Sequence, residues 1–438
     1  VSTDKKKIAV TTLGCKVNQF ESAAFLSDFA RHPEVALVPF SEPADVYVVN
    51  TCAVTAKAGA QSRQLIRRAL RANPEARLVV TGCYAQVAAQ EIMEIADCPI
   101  CIVGNAFKHR LVEVVLSDRH CDLEMHLGNI AVQKEIAPLA ATSFGERTRG
   151  YLKVQDGCNS FCAYCIVPYA RGRSRSLAPD QAVAQAETLA AQGYKELVVT
   201  GIHLGHYGHD LSPKTSLATL MALLLEKNLP LRYRLSSLEP TEISEELLSL
   251  MAASPSIMPY LHIPLQSGDD RILKMMNRRY RAAAFAEVVA NCLRHLPEAG
   301  IGVDVLVGFP GEDEQAFRHT YDLLASLPVS YLHVFPYSKR PGTPAAEMAN
   351  QVAKEEKSRR VALLKELDRE KRQAFYRRNL GRARQVLVEG GKPGRRLLKG
   401  FTDNYIPVEF PGSPDLANQL VEVRLEELGT NGMLGRIV

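Results

Sequence analysis

The chain has 438 residues, 46% of them apolar, enough to bury substantial cores and to fill two or three domains. Its formal net charge of +5 suits an RNA partner without demanding one. No run of 18 or more apolar residues exists to cross a membrane, and no apolar signal core follows the charged Val1–Lys7, so the expectation is a cytoplasmic protein with no membrane partner.

Ten cysteines in such a setting point to a reducing compartment, where close spacing favours metal ligation or redox chemistry over structural disulfides. Their positions along the chain carry the argument.

From Lys6 to Pro138 the β-branched runs Ile8–Thr12, Asp45–Asn50, Leu78–Thr81 and Ile100–Val103 alternate with helical patterns at Asn18–Ala30, Gln61–Asn73 and Gln86–Ile95. This predicts an N-terminal open α/β domain with a parallel sheet. Cys15, Cys52 and Cys83 each stand just beyond the C-terminal end of a predicted strand, two of them behind a glycine, Gly14 or Gly82. The carboxyl edge of an open α/β sheet is where ligands bind, so the three should converge on a shared metal site. Cys98, Cys101, Cys121 and Cys292 read as structural, although Cys98-Pro99-Ile100-Cys101 with His120 nearby imitates a zinc or thiol-redox pair. Arg63, Arg67, Arg68 and Arg71 form a basic run on one predicted helix, which is either an RNA contact or a solvated face.

From 144 to 348 six strand candidates follow in order: Tyr151–Gln155, Glu196–Thr200, Arg232–Ser236, Tyr260–Pro264, Gly302–Val307 and Tyr331–Tyr337. Helical patterns separate them, predicting a partial (βα)6 barrel whose ligands gather at the C-terminal strand ends. Directly after the first strand comes Gly157-Cys158-Asn159-Ser160-Phe161-Cys162-Ala163-Tyr164-Cys165, with cysteines spaced C-x3-C-x2-C. Three unrelated buried cysteines seldom fall so close together.

Ala353–Arg378 is a charged helical linker with ten Lys/Arg against five Asp/Glu. The tail, 380–438, alternates short strands with Gly and Pro turns and predicts a small β-barrel, a shape common among nucleic-acid-binding modules.

The C-x3-C-x2-C segment resembles the cluster loop of the radical S-adenosylmethionine superfamily. The resemblance implies a 4Fe-4S cluster on Cys158, Cys162 and Cys165, with the fourth iron open to the amine and carboxylate of S-adenosylmethionine. Tyr164 holds the aromatic position that meets the adenine in relatives. Gly201 after strand two, Ser237 and Glu239 after strand three, Gln266 after strand four and Gly308 after strand five stand where relatives face the cofactor.

The whole chain resembles a methylthiotransferase. Thr12-Leu13-Gly14-Cys15-Lys16-Val17-Asn18-Gln19, Val49-Asn50-Thr51-Cys52-Ala53-Val54 and Val80-Thr81-Gly82-Cys83 match that family's N-terminal domain, and the tail resembles its RNA-binding TRAM barrel. The Lys-Val-Asn-Gln segment and Pro168-Tyr169-Ala170-Arg171-Gly172 look most like the branch acting on N6-threonylcarbamoyladenosine at position 37 of tRNA, while Phe20 and Arg173 depart from its pattern.

The resemblance implies an auxiliary 4Fe-4S cluster on Cys15, Cys52 and Cys83, and S-adenosylmethionine serving as both radical source and methyl donor. The implied partners are a tRNA anticodon stem-loop, a reductant such as flavodoxin or ferredoxin, and a sulfur donor. Arg171, Arg173, Arg384, Lys392, Arg395 and Arg396 are the expected RNA contacts. The rival readings are a methylthiotransferase for a ribosomal-protein aspartate, one for isopentenyl-type adenosines, and a non-catalytic RNA-binding iron–sulfur protein. Eight Lys/Arg against seven Asp/Glu in Leu380–Val438 barely separate the first rival by charge.

Overall fold

The β-branched runs of the N-terminal third pair into six parallel strands: β1 (Lys6–Thr12), β2 (Val35–Leu37), β3 (Val46–Thr51), β4 (Arg77–Gly82), β5 (Ile100–Val103) and β6 (Met125–His126). Their spatial order is β2-β1-β3-β4-β5-β6. Both faces are covered, which is why β3 is apolar almost throughout and buried at every position. One face packs Tyr47, Val49, Leu78 and Val80 against Ile66 and Ala69 of helix Ala56–Ala72. The other packs Ile8, Val46, Val48 and Val79 against Phe25 and Phe29 of helix Lys16–Phe29. In register, Thr12 lies beside Asn50 and Thr51 beside Gly82, so β1, β3 and β4 end along one edge.

The computed structural model describes residues 5–95, 100–117, 124–145, 147–390 and 397–438. The chain forms two compact units. The first joins the residues up to 145 with 153–177 and 338–346, and the second comprises 146–152, 178–337 and 347–438. Segment 153–177 carries the short antiparallel pair β8 (Gln155–Asp156) and β9 (Arg175–Ser176), reached after β7 (Arg149–Lys153).

In the second unit the strands β10 (Glu196–Thr200), β11 (Arg232–Leu235), β12 (Tyr260–His262), β13 (Gly300–Val307) and β14 (Tyr331–Pro336) follow β7. They form two three-stranded sheets, β11-β10-β7 and β12-β13-β14. A single parallel bridge, Tyr233 to Ile257, and the Leu238 N–H donating to His262 O at 3.0 Å join them at the seam. The result is an open, partial barrel with helices outside.

The charged stretch becomes one helix, Lys354–Arg378, and it is no free connector. Leu364, Leu367, Phe375 and Tyr376 are buried, and Asp368 accepts from the Leu332 N–H of β14 at 2.7 Å. Beyond it, β15 (Ala383–Glu389), β16 (Leu397–Thr402), β17 (Pro407–Pro411), β18 (Leu420–Leu428) and β19 (Met433–Ile437) close a barrel in the order β15-β16-β17-β19-β18. Its core is Val386, Val388, Ile406, Val408, Phe410, Val423 and Leu425. Among the described residues no helix is long and apolar enough to cross a membrane.

Candidate active site

Because β1, β3 and β4 end together, Cys15, Cys52 and Cys83 begin neighbouring turns on one sheet edge. Glycine permits the approach. Gly14 has φ +101°, and a Cβ there would lie 2.9 Å from Cys52 Sγ; at Gly82, φ +96°, it would lie 2.3 Å from Thr51 O. Asn18 fastens two of the turns, its Nδ2 donating to Leu13 O at 2.7 Å and to Thr51 O at 3.0 Å. Asn50 holds Asn18 in turn, donating to its carbonyl at 3.0 Å and to Ser22 Oγ at 2.9 Å. The Thr51 hydroxyl donates to Thr81 O at 2.5 Å and so ties in the third turn.

Burial, and then the nearby Cys83 thiol, push the Cys52 thiol up to about 12. Such a thiol becomes a ligand when a cation offsets the charge of its thiolate, which bound iron does. The donor set therefore fits a three-thiolate iron–sulfur site.

The second cysteine set sits on a loop braced from within. Gln155 Nε2 donates to Asp156 O, to Gly157 O at 2.8 Å and to Ser174 Oγ at 2.9 Å. The Cys158 N–H donates to Gly172 O at 3.0 Å, and the Ser160 N–H points at Cys158 Sγ at 3.4 Å. Gly157 (φ +74°) could not be replaced: a Cβ would come 1.9 Å from Arg173 O. Cys162 is buried, while Cys158 and Cys165 keep partial exposure, as does Tyr164 between them. Three thiols on a half-open loop fit a cluster with one iron left for a substrate or cofactor.

A buried ionic network lies between these two loops, inside the first unit. Arg171 is 1% exposed. It donates to Glu21 Oε1 at 2.9 Å and Oε2 at 3.0 Å, to Asp156 Oδ1 at 2.9 Å and to Asn18 Oδ1 at 2.5 Å. Lys153 bridges Glu21 and Asp156 at 3.0 and 2.7 Å, and Lys108 pairs with Glu21 at 2.5 Å. Burial alone would raise the Glu21 carboxyl, but Arg171, Lys108 and Lys153 hold it well below the usual carboxylate range. Asn105 adds a second tie, donating to Ala170 O at 2.7 Å and approaching Cys83 Sγ at 4.0 Å. The same Asn18 thus holds the turns of Cys15 and Cys52 and the arginine that follows the C-x3-C-x2-C loop.

This corrects the expectation that Arg171 meets RNA. A guanidinium 1% exposed and bonded to two carboxylates is out of reach of a phosphate. Arg384 is corrected likewise, being 7% exposed and bonded to Glu298 at 2.7 Å, Asn379 at 3.1 Å and Asp403 at 3.2 Å. Arg173 is exposed, its guanidinium 5.1 Å from the Phe161 ring centroid. Lys392, Arg395, Arg396, Cys98, His120 and Cys121 lie outside the described residues. Cys101 and Cys292 are fully buried, Cys101 in the apolar core of the sheet with its Sγ 3.9 Å from Glu124 Oε2.

In the second unit the expected cofactor residues stand at strand ends. Gly201 directly follows β10, and Ser237 is exposed after β11. Glu239 is held by both terminal nitrogens of Arg278, yet burial pushes its carboxyl above the ordinary range. Gln266 adopts φ +66°, its N–H on Asp304 O at 2.9 Å. Gly308 directly follows β13. A Cβ there would lie 2.2 Å from Lys357 Cγ, so helix Lys354–Arg378 takes that space, and the Gly308 N–H donates to Glu312 Oε1 at 2.9 Å.

Sequence reasoning missed Glu21, Lys108, Lys153 and Asp156. One signal was available: Asn18, Glu21 and Ser22 interrupt the buried face of an otherwise apolar helix.

Known proteins share this pattern. Residues 152–324 match the family model described as Radical SAM superfamily, and residues 7–104 the one described as Uncharacterized protein family UPF0004. The threonylcarbamoyladenosine tRNA methylthiotransferase MtaB of Aquifex aeolicus is 40% identical across 95% of this chain and 99% of its own length. The tRNA-2-methylthio-N(6)-dimethylallyladenosine synthase of Cronobacter sakazakii is 30% identical across 99% and 92%. Among solved structures, the radical S-adenosylmethionine methyltransferase TsrM of Kitasatospora setae, with cobalamin and a [4Fe-4S] cluster bound, covers 78% of this chain and 74% of its own at a TM-score of 0.57. At 16% identity that likeness is one of fold.

Proposed function

This chain belongs to the methylthiotransferase family of radical S-adenosylmethionine enzymes, and we propose that it places a methylthio group at C2 of N6-threonylcarbamoyladenosine at position 37 of tRNA. One observation carries the reading: the Asn18–Arg171 joint holds two separate three-cysteine sets in one compact unit. A single set serves many reactions, whereas two suit a reaction that must both open a C–H bond and deliver sulfur.

We assign one 4Fe-4S cluster to Cys158, Cys162 and Cys165 and the other to Cys15, Cys52 and Cys83. Loaded with these clusters and S-adenosylmethionine, the enzyme has the radical chemistry needed to exchange an unactivated adenine C–H for a C–S bond. The protein's own part is placement. Each set supplies three thiolates and leaves one coordination position open. Gly157 and Gln155 fix the turn that presents Cys158. In the second unit Gly201, Ser237, Glu239 and Gln266 are the groups proposed to hold S-adenosylmethionine, with Gly308 giving room to Lys357 of helix Lys354–Arg378; Tyr164 is proposed as an adenine contact from the sequence alone. Arg173 and, from the sequence, Lys392, Arg395 and Arg396 are the proposed phosphate contacts. An anticodon stem-loop, a flavodoxin- or ferredoxin-type reductant, a sulfur donor and a cytoplasmic setting complete the proposal.

The substrate branch rests on 40% identity to a threonylcarbamoyladenosine enzyme against 30% to a dimethylallyladenosine one, each over nearly the full chain. Nucleoside mass spectrometry of tRNA from cells with and without the gene tests it. Loss of the methylthio form of threonylcarbamoyladenosine is the expected result. Loss of the methylthio-dimethylallyl form instead would overturn the assignment.

A further inference from the structure

Inside the partial barrel, strands β12, β13 and β14 present a chain of polar rings that no step above uses. In register, Asp304 lies beside His333, and Gly302 beside Tyr331. The absent side chain at Gly302 lets its neighbours meet, since a Cβ there would lie 2.3 Å from Tyr331 Cζ and 2.8 Å from His262 Nδ1. The Tyr260 and Tyr331 hydroxyls are 2.5 Å apart, Tyr331 Oη is 3.2 Å from His262 Nδ1, and His262 Nε2 is 2.8 Å from Asp304 Oδ1. The same Asp304 oxygen is 3.4 Å from His333 Nδ1.

The direction of each hydrogen bond follows from one end. Asp304 accepts from two imidazoles, which outweighs burial and holds its carboxyl well below the usual range, so it is an acceptor only. His262 must then carry its proton on Nε2 and accept from Tyr331 on Nδ1. A neutral His333 donating to Asp304 carries its proton on Nδ1, which leaves Nε2 with a lone pair. No partner for that nitrogen occurs among the described residues.

Position shows where the lone pair is offered. Side chains alternate along β14, so Tyr331, His333 and Phe335 share the face of Gly302 and Asp304, opposite the fully buried apolar face of Val303 and Val305, and Arg372 of helix Lys354–Arg378 covers the Tyr331 ring at one end of it. Tyr260, His262 and Tyr331 are buried there, whereas the His333 side chain is 49% exposed and Phe335 is 46% exposed. Their rings are 6.2 Å apart and nearly perpendicular. An exposed aromatic wall with one oriented acceptor, on the inner face of such a barrel, is a ligand surface.

Resting on the substrate reading above, we propose that His333 is a specificity-determining residue whose Nε2 accepts a hydrogen bond from the polar N6 substituent of the adenine. A threonylcarbamoyl group offers a distal urea N–H and a hydroxyl. A dimethylallyl group offers neither beyond the N6–H that all such adenosines carry. A site built around a hydrogen bond rejects the analogue lacking it, because the buried partner is left unpaired. His262 acts as a positioning residue, through Asp304.

The test uses the full-length, cluster-loaded enzyme with anticodon stem-loop RNAs carrying threonylcarbamoyladenosine, dimethylallyladenosine or plain adenosine. Dissociation constants come from fluorescence anisotropy, alongside kcat/KM. His333→Phe should lower the preference for threonylcarbamoyl over dimethylallyl about tenfold or more, with iron content and binding of the plain stem-loop unchanged. His333→Gln, whose amide oxygen can replace Nε2, should recover most of that preference. If the wild type prefers threonylcarbamoyl and His333→Phe prefers it equally, the inference fails while the substrate reading survives. If the wild type shows no preference, both fail. Retention of a divalent ion by the wild type, lost in His333→Phe, would show these side chains to be a metal site and overturn the inference.

Discussion

Arg171 shows what a single residue carries here. It is held by Glu21, Asp156 and Asn18, three groups supplied by two distant stretches of chain, and each needs it as much as it needs them. Removing Arg171 strips Glu21 and Asp156 of charge-assisted hydrogen bonds worth roughly 1.5–3 kcal/mol each, with Lys108 and Lys153 left to pair the two carboxylates. Arg171→Met should therefore shift the urea midpoint of the chain sharply downward. Asn18→Ala, which removes neutral hydrogen bonds and one charge-assisted bond, should cost roughly 1–3 kcal/mol. The double variant should cost less than the sum, because the two share a bond and neighbouring terms couple. Additive losses in denaturant titrations would show that the two loops are not joined through this pair.

Among the elements, those whose pattern repeats locally were legible from sequence. The six strands of the partial barrel, the five of the small barrel and the helix at 354–378 follow from alternation, β-branched runs and turn residues, all of them short-range signals. The edge strands β2 and β6 were not legible, being three and two residues long and formed only by pairing with a neighbour. The convergence of Cys15, Cys52 and Cys83 was visible because each stands just past the end of a strand. The burial of Arg171 was not, because its partner Glu21 lies 150 positions away and an arginine after a loop reads as surface. Gly157 stood in the sequence only as the residue before Cys158, with nothing local to mark it as a requirement. With φ +74° and Arg173 O only 1.9 Å from where a Cβ would sit, Gly157→Ala cannot keep the loop closed. Anaerobic reconstitution should load roughly eight irons on the wild type and about half that on Gly157→Ala, since the Cys15, Cys52 and Cys83 turns do not depend on this glycine. Full loading of the variant would mean that the loop does not hold a cluster.

For the molecule as a whole, the question is where its modest excess of positive charge meets RNA, now that two predicted contacts have proved to be buried. Arg63 is also engaged, its guanidinium 2.7 Å from the Tyr84 hydroxyl and paired with Glu91. Arg67, Arg68 and Arg71 remain exposed on helix Ala56–Ala72, three and four positions apart and with no ion pair among the described residues. Unneutralised like charges on one helix face are mildly unfavourable by themselves, and a polyanion relieves them. Each phosphate neutralised contributes roughly 0.7–0.9 to the slope of log affinity against log salt. Replacing Arg67, Arg68 and Arg71 together by Gln should flatten that slope by about 2 if all three meet phosphates. Affinity should then fall to a similar degree for modified and unmodified stem-loops, because phosphate contacts carry no base information. Arg384→Gln is the control, since its charge is already matched by Glu298 and Asp403; it should lower stability and leave the slope unchanged. An unchanged slope in the triple variant would make the face a solvated one and move the RNA contacts to Arg173 and the small barrel.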